Sequence, residues 1–302
     1  MRMKQKMNGK MRIDKGVQIF FYILLIILSL SLLVPVIWML MNSFKGNIEY
    51  YQKPTFSLPD SLDFDNYAFF LNNIKYEVKR PEGTYVYTLP WMFMYSIIWA
   101  VVPSAFSILV TTMCAYVIAR YKFPGRNFLY SLGIVVMVLP IVGSSGSAML
   151  IRRQLGIFDN MPLMILTGPS VAFSGMNFLI MYAAFKAVPW EYAEAVFMDG
   201  GGHLRVFLSI MLPMVLPSAG VLVLLGIIGG WNDYETFLLW LPSYANVARG
   251  IYNFQYLGRL DLGATMPQIL AGFVVVSLPM IILYICFQKV ITANFMVGGL
   301  KG

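Results

Sequence analysis

The stretch GVQIFFYILLIILSLSLLVPVIWMLMNSF, residues 16–44, runs without a single charged side chain. A helix rises about 1.5 Å per residue, so about 20 apolar residues cross the roughly 30 Å of hydrocarbon in a bilayer. This stretch is long enough to cross. Working outward, five more charge-free runs reach that length: 83–119, 127–151, 160–185, 206–232 and 262–288. A further run, Thr236 to Ala248, is too short, contains Pro242, and reads as an interfacial or loop segment. The spans fall near 18–42, 91–118, 128–150, 161–186, 212–232 and 266–288. The first follows a basic stretch, as a secretory signal would. It is longer than a signal's apolar region and shows no convincing small-residue cleavage site, so it is kept as a membrane helix.

Composition agrees. Of 302 residues, 59% are hydrophobic and 12% charged, where a soluble protein carries roughly 25% charged residues. That excludes an ordinary soluble enzyme. Cys114 and Cys286 both lie in apolar runs, so neither a disulfide framework nor a thiolate zinc site is indicated, and they read as small apolar packers. His203 is the one histidine; it cannot build a histidine metal site and reads as a solvated turn residue. The net charge of +8 sits between the spans rather than over a face. With the N-terminus inside, the cytoplasmic pieces carry a net +9 and the opposite side −1. The lysine and arginine bias therefore predicts both termini inside. The positive charge marks the anionic leaflet, not a nucleic-acid partner.

Two connecting segments are too long to be simple turns. The external segment 43–90 is rich in aromatic and acidic residues (Tyr50, Tyr51, Asp60, Asp63, Asp65, Tyr67). It suits either a structured linker at the membrane surface or a docking surface for an extracytoplasmic partner. The cytoplasmic interval 188–213 reads VPWEYAEAVFMDGGGHLRVFLSIMLP. Pro189 is tolerated in a helix's first turn, and Glu191 and Glu194 sit early, where the dipole favours negative charge. Trp190, Ala193 and Phe197 share a modest apolar face. Gly200, Gly201 and Gly202 then stop the helix and permit a reversal. Leu204, Phe207, Leu208 and Met211 resume helical spacing before Pro213 opens the fifth span. The object is a short helix, a glycine hinge and a second short helix. Its apolar side and carboxylates suit a groove on another protein; a helix lying flat on lipid is the other reading.

Polar groups inside spans are candidate pathway residues, because they are costly in lipid. Pro140, Gly143, Ser144, Ser145, Gly146 and Ser147 break the third span, and Gly168, Pro169, Ser170, Ser174 and Asn177 break the fourth. Small residues, including the pair Gly226/Gly230, also permit close helix packing. Trp231, Asn232, Asp233 and Tyr234 offer an aromatic plate beside hydrogen-bonding groups, suited to sugar rings, or else an interfacial anchor.

The interval around the glycine hinge resembles the signature of the membrane subunits of bacterial ABC importers. That signature is glutamate-alanine-alanine, three residues, glycine, nine residues, isoleucine, any residue, leucine. Glu194 and Ala195 match, with Val196 in place of the second alanine; Gly200, Ile210 and Leu212 follow in register, then Pro213. Ala115 to Arg126, Trp231-Asn232-Asp233 and the tail Gly298 to Gly302 are similar to the carbohydrate branch, the maltose-type smaller permease subunit. The resemblance covers residues 17–302 and is least characteristic in the external loop.

It implies an all-α polytopic membrane protein of six transmembrane helices, N-in/C-in, with a type I importer permease fold and a coupling helix. The regions would be a basic cytoplasmic terminus 1–17, a first helix 18–42, an extracytoplasmic loop 43–90, a five-helix core 91–288 containing the coupling segment 188–213, and a cytoplasmic tail 289–302. Glu194, Ala195, Asp199, Gly200, Ile210, Leu212 and Pro213 would couple to an ATPase. Ser144, Ser145, Asn177 and Trp231 to Tyr234 would line a pathway, and Gly298, Lys301 and Gly302 would reach the ATPase pair. The implied partners are a second permease subunit, two ATP-binding subunits, an extracytoplasmic solute-binding protein and membrane lipid, in a bacterial plasma membrane, with a sugar or oligosaccharide as cargo.

No Gly-x-x-x-x-Gly-Lys-[Ser/Thr] loop occurs in the sequence, so ATP and magnesium are expected on a partner and no cofactor in this chain. Import of an amino acid or peptide remains open, since the hinge signature is shared. An ion-coupled secondary transporter would place ionisable groups at mid-membrane, where these spans carry no acid. A membrane enzyme would have to rely on Asp233, Glu235 and Asp261.

Overall fold

The computed structural model describes residues 15–80, 83–139, 143, 145–168 and 172–295. In chain order its elements are α1 (Lys15–Ser43), α2 (Asn47–Gln52), α3 (Asp65–Asn73), strands β1 (Lys75–Arg80) and β2 (Gly83–Thr88), α4 (Leu89–Arg120), α5 (Arg126–Val138), α6 (Ser145–Gln154), α7 (Met161–Thr167), α8 (Gly175–Ala187), α9 (Glu191–Met198), α10 (His203–Val206), a π-helical turn (Phe207–Met211), α11 (Leu212–Asn232), α12 (Glu235–Leu239), α13 (Val247–Asp261) and α14 (Met266–Phe295). The described residues fall into two compact units, one within 15–72 with 263–275, the other within 73–262 with 276–295.

In the first unit the long apolar α1 ends in a hydrogen-bonded knot. Asn66 donates to the carbonyls of Ser43 and Lys45, both at 3.0 Å, and Ser43 pairs with the Tyr67 hydroxyl at 2.6 Å. Phe44 packs against Phe64 and Tyr67. The buried Lys45 donates to Ser57 Oγ. Lys53 pairs with Asp60 and Glu49, and the hydrogen bond to Asp60 is the main cause raising its pKa above the ordinary lysine value.

The second unit opens with an antiparallel hairpin, β1 on β2, in register Lys75↔Thr88 to Arg80↔Gly83. This departs from an all-helical chain. Residues 75–79 alternate charged and apolar, which is the period of a half-buried strand; Tyr76 and Val78 are buried while Lys75, Glu77 and Lys79 stay outside. Tyr76 and Tyr87 then hook the hairpin to the carbonyls of Pro242 and Ser243.

Four helical stretches are long and apolar enough to cross a membrane among the described residues: α1, α4, His203–Asn232 and α14 to Lys289. The expected third and fourth spans are each built differently. The third is divided into α5 and α6, and the fourth into α7 and α8. The divisions fall at the small polar runs, where Gly143 and Gly175 take left-handed φ of 78° and 84°. Pro140, Ser144, Pro169 and Ser170 lie outside the described residues. Ser174 donates to Gly133 O at 2.9 Å, so the second break rests on α5.

One core joins α4, α8, α9, the π-turn and α11, with Ala115, Phe178, Met181, Phe185, Ala193, Val206 and Met211 completely buried. Glycines let α11 approach α4. A Cβ on Gly230 would stand 2.9 Å from Ala100 Cα, and one on Gly226 2.8 Å from Ser104 Oγ. The close-packing reading of this pair is what the backbone uses.

Candidate functional site: the glycine elbow

The segment after α8 is held by local rules. Val188 leaves helical geometry ahead of Pro189, as the residue before proline is pushed to do. Glu191 and Glu194 occupy the first turn of α9. At the other end Asp199 is the C-cap, Gly200 takes φ +77°, and two bonds close the turn: Gly200 N–H to Phe197 O at 3.0 Å and Gly201 N–H to Val196 O at 2.8 Å. This is a Schellman motif, and it uses two of the three glycines. A Cβ on Gly201 would come within 2.5 Å of Val196 Cγ1, so that position also needs glycine for space.

The second arm is not a separate short helix. From His203 the chain stays helical through to Asn232. The π-turn lies immediately before Pro213, with Leu212 N–H bonding back to Phe207 O. Proline has no N–H and its ring crowds the carbonyl four residues earlier, here Ser209. A widened turn accommodates it without a break.

The apolar face expected to enter another protein is used internally. Ala193 is fully buried, and Val196, Phe197 and Trp190 pack on the core. What α9 presents outward is Glu191, Tyr192, Glu194, Ala195, Met198 and Asp199. Across the glycines Leu204 and Leu208 are also exposed. The elbow thus shows carboxylates mixed with uncovered apolar side chains, and Met198 is 88% exposed. Of the remaining signature residues, Leu212 packs against the core, Ile210 is half-buried and Pro213 is exposed.

Sequence reasoning missed the side chains that fasten this elbow. Arg120, last residue of α4, donates to the carbonyls of Phe185 and Val188, and its guanidinium lies 5.7 Å from the Trp190 ring centre. Tyr121 joins Tyr116 and His203 Nδ1 through its hydroxyl, each at 3.0 Å. His203 is exposed yet held between Tyr121 and Phe197. The signal was present: an arginine and a tyrosine where an apolar run ends. Lysine and arginine at span ends are so common as topology markers that a structural use leaves no separate mark.

Among the described residues, the pathway candidates stand in different settings. Ser145 and Asn177 are exposed, at the starts of α6 and α8. Trp231 is buried, donating to Val276 O at 3.3 Å. Asn232 bonds its own helix at Ile228 O. Asp233 accepts from Trp99 Nε1 and from Thr236 N, both at 3.0 Å, which ties the end of α11 to α4 and caps α12. Tyr234 stacks on Tyr252 of α13 with ring centres 4.9 Å apart. Gly298, Lys301 and Gly302 lie outside the described residues, as does Ser144.

Residues 107–295, which contain the whole elbow, match the family model described as binding-protein-dependent transport system inner membrane component. The chain belongs to that family. It is therefore a multi-pass membrane protein and a transport component rather than a soluble catalyst. Among individual relatives, this inner-membrane component is 29% identical over 295 residues to the diacetylchitobiose uptake system permease protein NgcG of Streptomyces coelicolor, covering 94% of this chain and 89% of the relative. It is 26% identical over 302 residues to the maltodextrin transport system permease protein MalD of Streptococcus pneumoniae, covering 98% and 100%. Its fold is shared with a bacterial ABC transporter involved in the import of the acidic polysaccharide alginate, with a TM-score of 0.69, 22% identity and coverage of 92% and 97%.

Proposed function

We propose that this chain is the transmembrane permease subunit of an ATP-driven importer for oligosaccharides, forming half of the pathway and driven through its elbow. The observation that carries the reading is the exposed, mixed acidic and apolar surface of α9 and the following turn, in a family whose relatives are named for sugar and oligosaccharide uptake. A surface of this kind fits a cleft in an ATP-hydrolysing subunit, with Glu194 making an ionic contact there and Gly200 holding the turn. Ala195 and Asp199 would complete the contact, and Ile210, Leu212 and Pro213 would join it to the fifth span.

The chain would cross the membrane six times, both termini cytoplasmic, with the divided segments 128–150 and 161–186 as the third and fourth passes. Interrupted helices are tolerated at membrane depth where they are buried in protein or line a cavity, which suits a pathway past Ser144, Ser145 and Asn177, with the Trp231–Tyr234 end of the fifth span at its mouth. Residues 1–17 and 289–302 would be cytoplasmic, 43–90 extracytoplasmic, and 91–288 the transporter core. A second permease subunit, two ATPase subunits carrying ATP and magnesium, and an extracytoplasmic solute-binding protein would complete the assembly, with Gly298, Lys301 and Gly302 reaching the ATPases.

The test is import into proteoliposomes by the complex that co-purifies with this chain. Glu194→Ala should abolish ATP-dependent oligosaccharide uptake while the chain still inserts in the membrane. Nucleotide-independent transport by the purified single chain would defeat the proposal.

A further inference from the structure

The exit of α4 is a motif that neither the elbow signature nor the pathway uses, yet it touches both arms of the elbow. On the first arm, Arg120 donates to Phe185 O and Val188 O. These lie at the end of α8, where Phe185 O also accepts from the capping Val188 N–H at 3.2 Å and the Val188 carbonyl lies beyond the last helical turn. The same guanidinium faces Trp190, the residue from which α9 starts. On the second arm, the Tyr121 hydroxyl bonds His203 Nδ1, the first residue of α10, and Tyr116 backs it from one turn earlier. The Tyr116 ring packs on Phe207 and Phe185, so the contact continues into the core. Arg126, past the left-handed turn at Gly125, folds back to donate to Ile118 O at 2.7 Å and closes the exit on itself.

Apolar packing alone would let a displaced elbow slide over the end of α4. Directional hydrogen bonds from a planar cation do not permit that slip without breaking. We propose that Arg120 and Tyr121 are the receiving end of the elbow: positioning residues that pin its two arms to α4, so that movement imposed on α9 is delivered to α4 as a rigid displacement. The proposal rests on the elbow being the ATPase contact proposed above. It adds that the motion leaves the elbow through α4, and not only through α11, with which the second arm is continuous.

The measurement is the amount of oligosaccharide imported per ATP hydrolysed by the complete reconstituted transporter. Arg120→Lys keeps the charge but loses the flat fork, so import per ATP should fall about tenfold while assembly and hydrolysis stay within about twofold of wild type. Tyr121→Phe removes one oxygen and should lower the ratio less, by about two- to threefold. A merely structural role would instead reduce the yield of complex, or import and hydrolysis in proportion. An unchanged ratio in assembled Arg120→Lys, or a proportional loss of both activities, overturns the proposal. If Arg120→Lys does not assemble, Tyr121→Phe decides, and a wild-type ratio there overturns it. A wild-type complex that hydrolyses ATP but imports no oligosaccharide would bring down the importer reading instead, and is read before either variant.

Discussion

Helices α1 and α11 are both apolar enough to cross a bilayer, yet they are built for different neighbours. None of the most apolar window of α1 is buried, whereas 33% of the corresponding window in His203–Asn232 is. Along α1 the exposed side chains are large: Phe20, Phe21, Leu24, Leu28, Leu32. Along α11, Gly226 and Gly230 press against α4, and Val221, Leu222 and Leu224 are buried. Hydropathy reports that both segments shun water. Only the placement of small residues distinguishes a helix fitted to its own chain from one left to lipid or to another subunit. In lipid, tails are as apolar as leucine, so fit rather than apolarity drives helices together.

The sharpest way to break this contrast is Gly230→Leu set against Gly229→Leu. The first drives a side chain at the α4 backbone; the second meets nothing within 4 Å. Gly230→Leu should yield no monodisperse complex on size exclusion after detergent extraction, and Gly229→Leu should behave as wild type. Equal behaviour of the two would remove the packing argument for α11. Next comes Phe178→Ala, a fully buried ring in the core beside α11. It should cost about 3–5 kcal/mol, against less than about 0.5 kcal/mol for Leu28→Ala on the uncovered α1, both read as shifts in thermal unfolding.

Just past the C-cap of α9, Gly200→Ala forces an ordinary residue into left-handed geometry and should cost about 1–2 kcal/mol, with a corresponding loss of import. The smallest effect lies just after α1. The Lys53 pKa is raised, chiefly by its hydrogen bond to Asp60. Its stabilisation is therefore complete below the ordinary lysine pKa and is lost as pH rises through the raised one. Titration of the Lys53 amine by NMR should fall toward the ordinary value in Asp60→Asn, with Glu49 still beside it.

Much of this was readable in advance because it depends on local properties. Charge-free runs, the breaks near Gly143 and Ser174, the Gly200 turn and the Gly226/Gly230 contact all follow from which residue types stand where. The hairpin was readable in principle, from the alternation at Tyr76 and Val78, but its six-residue strands are short beside the apolar runs. Contacts between distant residues were not. Nothing near Asp233 announces that Trp99, 134 residues earlier, will donate to its carboxylate. The same holds for Arg120, whose acceptors are carbonyls and so leave no trace in side-chain chemistry. The π-turn was invisible because it compensates for Pro213 without altering which residues are apolar.

That turn has a consequence for the gearing between the elbow and the bundle. A π-turn stores one surplus residue, and each residue of a regular helix advances the azimuth by about 100°. Excising a single residue between Phe207 and Met211 would leave a regular helix with the arm carrying His203 still facing Tyr121, whereas the same excision in a regular turn of the α11 helix would swing that arm by about 100°. The irregularity works as a phase buffer, and the chain should tolerate a single-residue deletion better there than in the regular turns that follow.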